Sequence, residues 1–149
     1  QQYENKHDLS VDIVVLLQPT APLRLSQDID AGIDLFLKNN NDSLISVCDV
    51  GAYHPNVMYT MKEEILTPLI PEGRTIIRRQ NFSPVFLRNG ALYIAAKRLI
   101  VDRKSFVGDN PLSYIMPKDR SVNIDEPFDI ELAEMMIRKF LYNQSEKSY

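Results

Sequence analysis

The stretch VDIVVLLQPTAPLR, residues 11 to 24, sets Gln18, Thr20 and Arg24 directly after a run that reads as a buried strand. In an open α/β sheet, ligands gather beyond the carboxyl ends of the strands, where the backbone turns expose donors and side chains to a crevice. Pro19 and Pro22 each fix a φ angle, so the turn is rigid and holds Gln18 and Thr20 still. Gln18 is therefore either a ligand contact or a structural amide that ties the loop down.

Eight basic residues lie between Arg74 and Lys104 (Arg74, Arg78, Arg79, Arg88, Lys97, Arg98, Arg103 and Lys104) against one acid, Asp102. That stretch could face an anion, although its last four cations read as the solvated face of a helix. No histidine pairs with a serine or cysteine in a nucleophile pattern, which disfavours covalent catalysis. Cys48, the only cysteine, sits in the apolar run LISVCDV and reads as an inert buried thiol. The five glycines, at 32, 51, 73, 90 and 108, are too dispersed for a phosphate-cradling loop.

The elements that must position these groups follow from periodicity. Val11 to Leu17 shows no polar alternation and suits an interior strand covered on both faces. Ser26 can cap a helix with Asp28 and Asp30 at its positive end and Ile29, Ile33, Phe36 and Leu37 on one stripe. SLISVCDV, 43 to 50, is a second buried strand, so the opening reads strand, helix, strand, the unit of parallel sheets. From Ala52 to Leu87 the pattern loosens into a long irregular insertion, expected to be functional or an interface. ALYIAA (91 to 96) and LSYIM (112 to 116) read as strands, and SVNID (121 to 125) as a short extended piece. Pro127 opens a closing helix with an apolar stripe of Leu132, Ala133, Met136, Ile137, Phe140 and Leu141, and with Glu134 and Arg138 paired outside.

At 149 residues, 44% hydrophobic and 25% charged, the chain is expected to form one α/β domain. A net charge of −3 argues against general nucleic-acid binding. The longest apolar runs fall far short of the roughly 20 residues that cross a bilayer. The amino terminus has no secretory-signal pattern, so a cytoplasmic location is expected.

LLQPTAPLR, RRQ (78 to 80), NGALYI (89 to 94) and RSVNIDEPFDIELAE (120 to 134) resemble, in this order, the acylneuraminate cytidylyltransferases. The resemblance implies a Rossmann-like nucleotidyltransferase fold with a mixed, mostly parallel sheet and a homodimer formed through an insertion at about 53–87. It also implies transfer of CMP from CTP to the anomeric hydroxyl of an acidic nine-carbon sugar, with pyrophosphate released and Mg²⁺ assisting. By the same resemblance Gln18 binds the sugar, and Arg79 faces its carboxylate, either within the protomer or across a dimer interface. Asp125 holds Mg²⁺ as the catalytic carboxylate.

The chain also departs from the family's pattern. Relatives begin with a strand and a loop like PARxGSKGxxxKN that cradles the CTP phosphates, so the chain looks like the carboxyl-terminal two-thirds of the enzyme and is expected to be inactive alone. The family's acidic pair is usually DID, and here Asn123 stands in the first place. An amide oxygen still ligates a hard cation but with one negative charge fewer. Asp125 is alternatively a helix cap. Arg88 lies one residue from the arginine that a relative's pattern places before Pro-Asn-Gly, which leaves its sugar contact open. His54 reads equally as part of the sugar pocket or as a loop histidine satisfied by backbone. Asn89, with Gly90, either makes a tight entry into the strand or touches the ligand. The competing reading is a non-catalytic sugar-binding or assembly subunit of the same fold.

Overall fold

The structure, a computed structural model, describes residues 2–71 and 82–146, with side chains described as far as residue 141. The elements run α1 (Gln2–His7), β1 (Ile13–Leu16), α2 (Ser26–Lys38), β2 (Ser43–Asp49), a 3₁₀ turn (Pro55–Val57), β3 (Tyr59–Lys62), β4 (Ile65–Pro68), β5 (Phe86–Ala96), α3 (Lys97–Arg103), β6 (Leu112–Ile115), a second 3₁₀ turn (Lys118–Arg120) and α4 (Pro127–Glu146). They divide into two compact units, one of residues 1–48 with 88–149 and the other of 49–87.

In the larger unit a four-stranded sheet has the order β1-β5-β2-β6. β5 runs antiparallel to β1, with Ile13 opposite Ala96 and Leu16 opposite Tyr93. It is also reversed against β2, since Ala96 N–H donates to Asp42 O at one end and Leu92 N–H to Ser46 Oγ further along. β2 and β6 are parallel, Leu44 opposite Leu112 and Val47 opposite Ile115. The expected mostly parallel sheet is thus corrected to a mixed one with a single parallel pair among the described residues. The reason is local: β1, β2 and β6 share a direction, but the reversed β5 enters between β1 and β2.

The interior-strand reading of Val11 to Leu17 is corrected too. β1 lies at the edge of this sheet among the described residues, and none of its four residues is fully buried. Burial centres instead on Phe36, Leu44, Leu92 and Ile94, packed by Ile13, Val15, Ile33 and Tyr114. Gly32 lets α2 approach β5 closely, because a Cβ there would meet Leu92 Cδ2 at 2.4 Å.

The start of α2 differs from expectation by one residue. Leu25, not Ser26, is the N-cap, and Asp28 in the first turn turns back so that its Oδ2 accepts from Leu25 N–H at 2.8 Å. Asp28, Gly32 and Phe36, four apart, form the buried face, whereas Leu37 is 65% exposed. α4 repeats the device: Asp129 Oδ2 accepts from the N–H groups of Asp125 and Glu126 at 2.9 and 2.8 Å. These two bonds hold the Asp129 carboxyl below its ordinary pKa. Glu134 and Arg138 pair at 3.5 Å as expected, while Ile137 and Leu141 of the anticipated stripe are exposed. Cys48 is buried and free.

The smaller unit carries the antiparallel β3–β4 hairpin, with Tyr59 opposite Pro68 and Lys62 opposite Ile65. Both strands are largely exposed. Among the described residues no helix is long and apolar enough to cross a membrane.

Candidate functional site

The strand directions create the site. β1 and β6 end, and β5 begins, on one side of the sheet, so the turn after β1, the entry to β5 and the segment after β6 meet there.

The turn after β1 is fastened by Arg24, whose Nη1 donates to Ala91 O at 2.6 Å and to Gln18 O at 3.3 Å. Its backbone also joins the segment after β6, with Ile124 N–H donating to Thr20 O at 2.8 Å. Between them lies Gly90, at φ +72°, a left-handed conformation that glycine adopts without steric cost. A Cβ on Gly90 would stand 2.6 Å from Gln18 Oε1 and 3.1 Å from Asn123 Oδ1. Two acceptor oxygens therefore crowd the same point. Asn123 Oδ1 is buried and has no hydrogen-bond partner among the described residues. An orphaned buried acceptor costs about 1–3 kcal/mol, so this position calls for a donor.

The other end of the Asn123 amide is committed: Nδ2 donates to Asp125 Oδ2 at 2.7 Å. Gln18, Gly90, Asn123 and Asp125 thus form one connected constellation. Asp125 is exposed, and the cap of α4 is supplied by Asp129. The alternative of Asp125 as helix cap is therefore corrected.

Asn89 is 2% exposed and its amide is engaged within the protein. Oδ1 accepts from Ser46 Oγ at 2.6 Å and from Ala91 N–H at 3.3 Å, and Nδ2 donates to Ser121 Oγ at 2.9 Å. This amide ties β2, β5 and the 121–125 segment together. Arg88, at the entry to β5, is exposed. Arg79 lies outside the described residues.

His54 belongs to the smaller unit. Its Nδ1 accepts from Asn56 N–H at 3.1 Å and its Nε2 lies 3.0 Å from Ser83 O, which defines the neutral tautomer protonated on Nε2. The ring stacks on Phe82 with centroids 4.5 Å apart and lines a cavity of about 370 Å³ with Asp49, Gly51 and Ser83.

Two groups were not read from the sequence as partners. Asp28, buried, and Arg120, half-buried, form a two-pronged ion pair, Nη1 to Oδ2 and Nη2 to Oδ1, the latter at 3.0 Å, with side chains 4% and 17% exposed. Tyr114 OH donates to Asp28 Oδ1 at 3.1 Å. Burial alone would raise the Asp28 carboxyl, but the bonds from Arg120 and Leu25 outweigh it and hold the pKa below its ordinary value. The phenol of Tyr114 is pushed up by its burial and by the adjacent carboxylate. A signal was present, since Asp28 shares its helical face with Gly32 and Phe36, and a carboxylate on an apolar face needs a buried partner.

The donor set limits what metal the site could hold. Among the described residues no group of three or more His, Cys, Asp or Glu side chains gathers for a metal. Because Nδ2 of Asn123 faces Asp125, the amide oxygen is turned away, and the two residues chelate one ion only if the amide turns over. Mg²⁺ that keeps waters and takes substrate phosphates is held through one or two carboxylates, and Asp125 is the one exposed carboxylate of this constellation.

Similarity to known proteins decides the family. The chain is 31% identical over 111 residues to the N-acylneuraminate cytidylyltransferase of Streptococcus agalactiae serotype V, an alignment covering 74% of the chain and 27% of that relative. It is 30% identical over 139 residues to the N-acylneuraminate cytidylyltransferase of Escherichia coli O18:K1:H7, covering 86% of the chain and 31% of the relative. The chain belongs to the acylneuraminate cytidylyltransferase family. The CMP-N,N'-diacetyllegionaminic acid synthase of Legionella pneumophila is 27% identical over 133 residues, covering 87% of the chain and 56% of that relative. No protein-family model matches the chain. It spans 27% to 56% of the length of these curated relatives of the cytidylyltransferase family.

Proposed function

We propose that the chain supplies the acidic-sugar side of a cytidylyltransferase that joins a nonulosonic acid to CMP. The observation that carries this reading is the convergence of Gln18 Oε1 and Asn123 Oδ1 on Gly90, with Asp125 attached through Asn123. Two acceptors, one in the proline-braced turn after β1 and one in the 121–125 segment, suit the hydroxyl and amide donors of such a sugar. In this reading Gln18 orients the sugar, Arg79, which lies outside the described residues, faces its carboxylate, and the exposed Arg88 is a further candidate sugar contact. Asp125, with Asn123, holds Mg²⁺, which when bound neutralises phosphate charge. The sheet is then part of a Rossmann-like nucleotide-binding fold.

The test is a calorimetric titration of the chain with N-acetylneuraminic acid. Binding is expected, and Gln18→Ala is expected to weaken it about tenfold, the cost of one hydrogen bond in a desolvated site. No binding by the wild-type chain overturns the reading. With CTP and Mg²⁺ added, the chain alone is expected to form no CMP-sugar, and turnover would assign the nucleotide site to these 149 residues. A non-catalytic sugar-binding subunit is the second reading, favoured by the amide in place of a carboxylate at Asn123.

We also propose a homodimer formed through the smaller unit. Met61, Ile65 and Leu66 of its hairpin are 72%, 68% and 60% exposed, an apolar surface that a second copy would cover. Sedimentation equilibrium is expected to give a dimer, and a clean monomer at high concentration removes this proposal.

A further inference from the structure

We propose that Asp28 is a positioning residue, whose one carboxylate sets the place of both loops that carry the ligand constellation. The inference rests on the function proposed above. Leu25, which donates to Asp28 Oδ2, ends the loop that begins at Gln18. Arg120, which grips both oxygens, is the residue from which the Ser121–Asp125 segment departs. Two loops far apart in sequence are thus anchored on one side chain that is itself fixed on the first turn of α2.

The 121–125 segment makes this anchoring consequential. Among the described residues it has no strand partner, so its position comes from the packing of Val122 against Leu23 and Ala133 and from a few tethers, among them Asn89 to Ser121, Ile124 to Thr20 and Asp129 to Asp125. Thr20 and Ile124 fasten the two loops to each other, and Asp28 fastens their roots. Gln18 and Asn123 lie within the frame so formed.

A stability role alone explains this pair poorly. Taking two charges out of water is costly, and well-packed hydrophobic residues of similar volume are often as stabilising as a buried ion pair or more so. What the pair adds is geometry, because the planar guanidinium fork fixes the orientation of both partners. Tyr114 provides the internal comparison, since it bonds the same carboxylate from β6 and belongs to neither loop.

Amide hydrogen exchange of the folded chain, followed by NMR in wild type, Arg120→Lys and Tyr114→Phe, tests the proposal. Arg120→Lys keeps the charge and loses the fork. It is expected to speed exchange at Leu25 and Ile124 about tenfold relative to Ala96, whose N–H bonds Asp42 O inside the sheet. Tyr114→Phe is expected to leave that ratio unchanged while lowering overall stability. An unchanged ratio in Arg120→Lys, or an equal change in both variants, overturns the proposal. If Arg120→Lys does not fold, Asp28→Glu, which keeps the charge and shifts the carboxylate, is read by the same ratio. Titration with N-acetylneuraminic acid separates the two claims. Arg120→Lys is expected to weaken binding about tenfold and Tyr114→Phe to leave it unchanged. A wild-type chain that does not bind the sugar removes the functional reading, and the exchange ratio still decides the positioning.

Discussion

Asp28→Asn is expected to lower the unfolding free energy at neutral pH by about 1.5–3 kcal/mol, the scale of hydrogen bonds to charged groups, because it leaves the part-buried Arg120 guanidinium without its counter-charge. For a domain whose whole stability is about 5–15 kcal/mol, that is a large fraction. The loss carries a pH signature. Burial opposes ionisation of Asp28, yet the bonds from Arg120 and Leu25 prevail and its folded pKa is lowered. A lowered folded pKa means that the contribution is complete above the unfolded value, about 3.9, and disappears as pH falls through the folded one. The gap between wild type and Asp28→Asn is therefore expected to narrow from neutral pH towards pH 2. Asp129, also lowered, makes both proteins acid-sensitive and cancels in the difference. Urea denaturation at pH 7 and pH 3 measures the gap, and an equal gap at both would show that the carboxylate is not held by its partners in this way.

Gly90→Ala is expected to weaken N-acetylneuraminic acid binding about 10–100-fold while the fold persists. The left-handed backbone at φ +72° costs a residue with a Cβ about 1–2 kcal/mol. The added methyl would also stand 2.6 Å from Gln18 Oε1 and 3.1 Å from Asn123 Oδ1, so at least one of the two acceptors must move. Because Asn123 also holds Asp125 through Nδ2, the disturbance reaches the carboxylate. Circular dichroism with a sugar titration checks this, and wild-type affinity in a folded Gly90→Ala protein would mean that the two oxygens do not contact the sugar.

The sequence and the structure agree where a local pattern suffices. β2 and α4 fall where apolar periodicity and Pro127 place them, and α2 stops at the run of asparagines. Strand direction was not legible, because no local feature of residues 86–96 says that β5 enters the sheet reversed between β1 and β2. That is set by long-range connection. The same holds for side chains whose partners lie far along the chain. Asp28 reads as a charge at a helix start, and only the fold brings it to Arg120. Asn89 reads as half of a turn, yet its amide ties three segments. Gln18 reads from sequence as an amide in a proline-braced turn, and the structure places its Oε1 beside Gly90. The closeness of Asn123 to Gly90 was not, since a segment without a strand partner carries no periodic signature.

The placement of β5 has a bearing on how the chain comes to fold. β1 and β2 are made early and lie close in sequence, but neither pairs with the other. Both wait for a strand that follows the whole smaller unit, and pairings such as Ile13 with Ala96 close a loop of most of the domain. Contacts that distant carry their entropic cost before they return any energy, so acquisition of the native sheet should be slow and late. Until β5 is formed, the apolar Val14 of β1 and Leu44 of β2 lack the strand that pairs with both among the described residues.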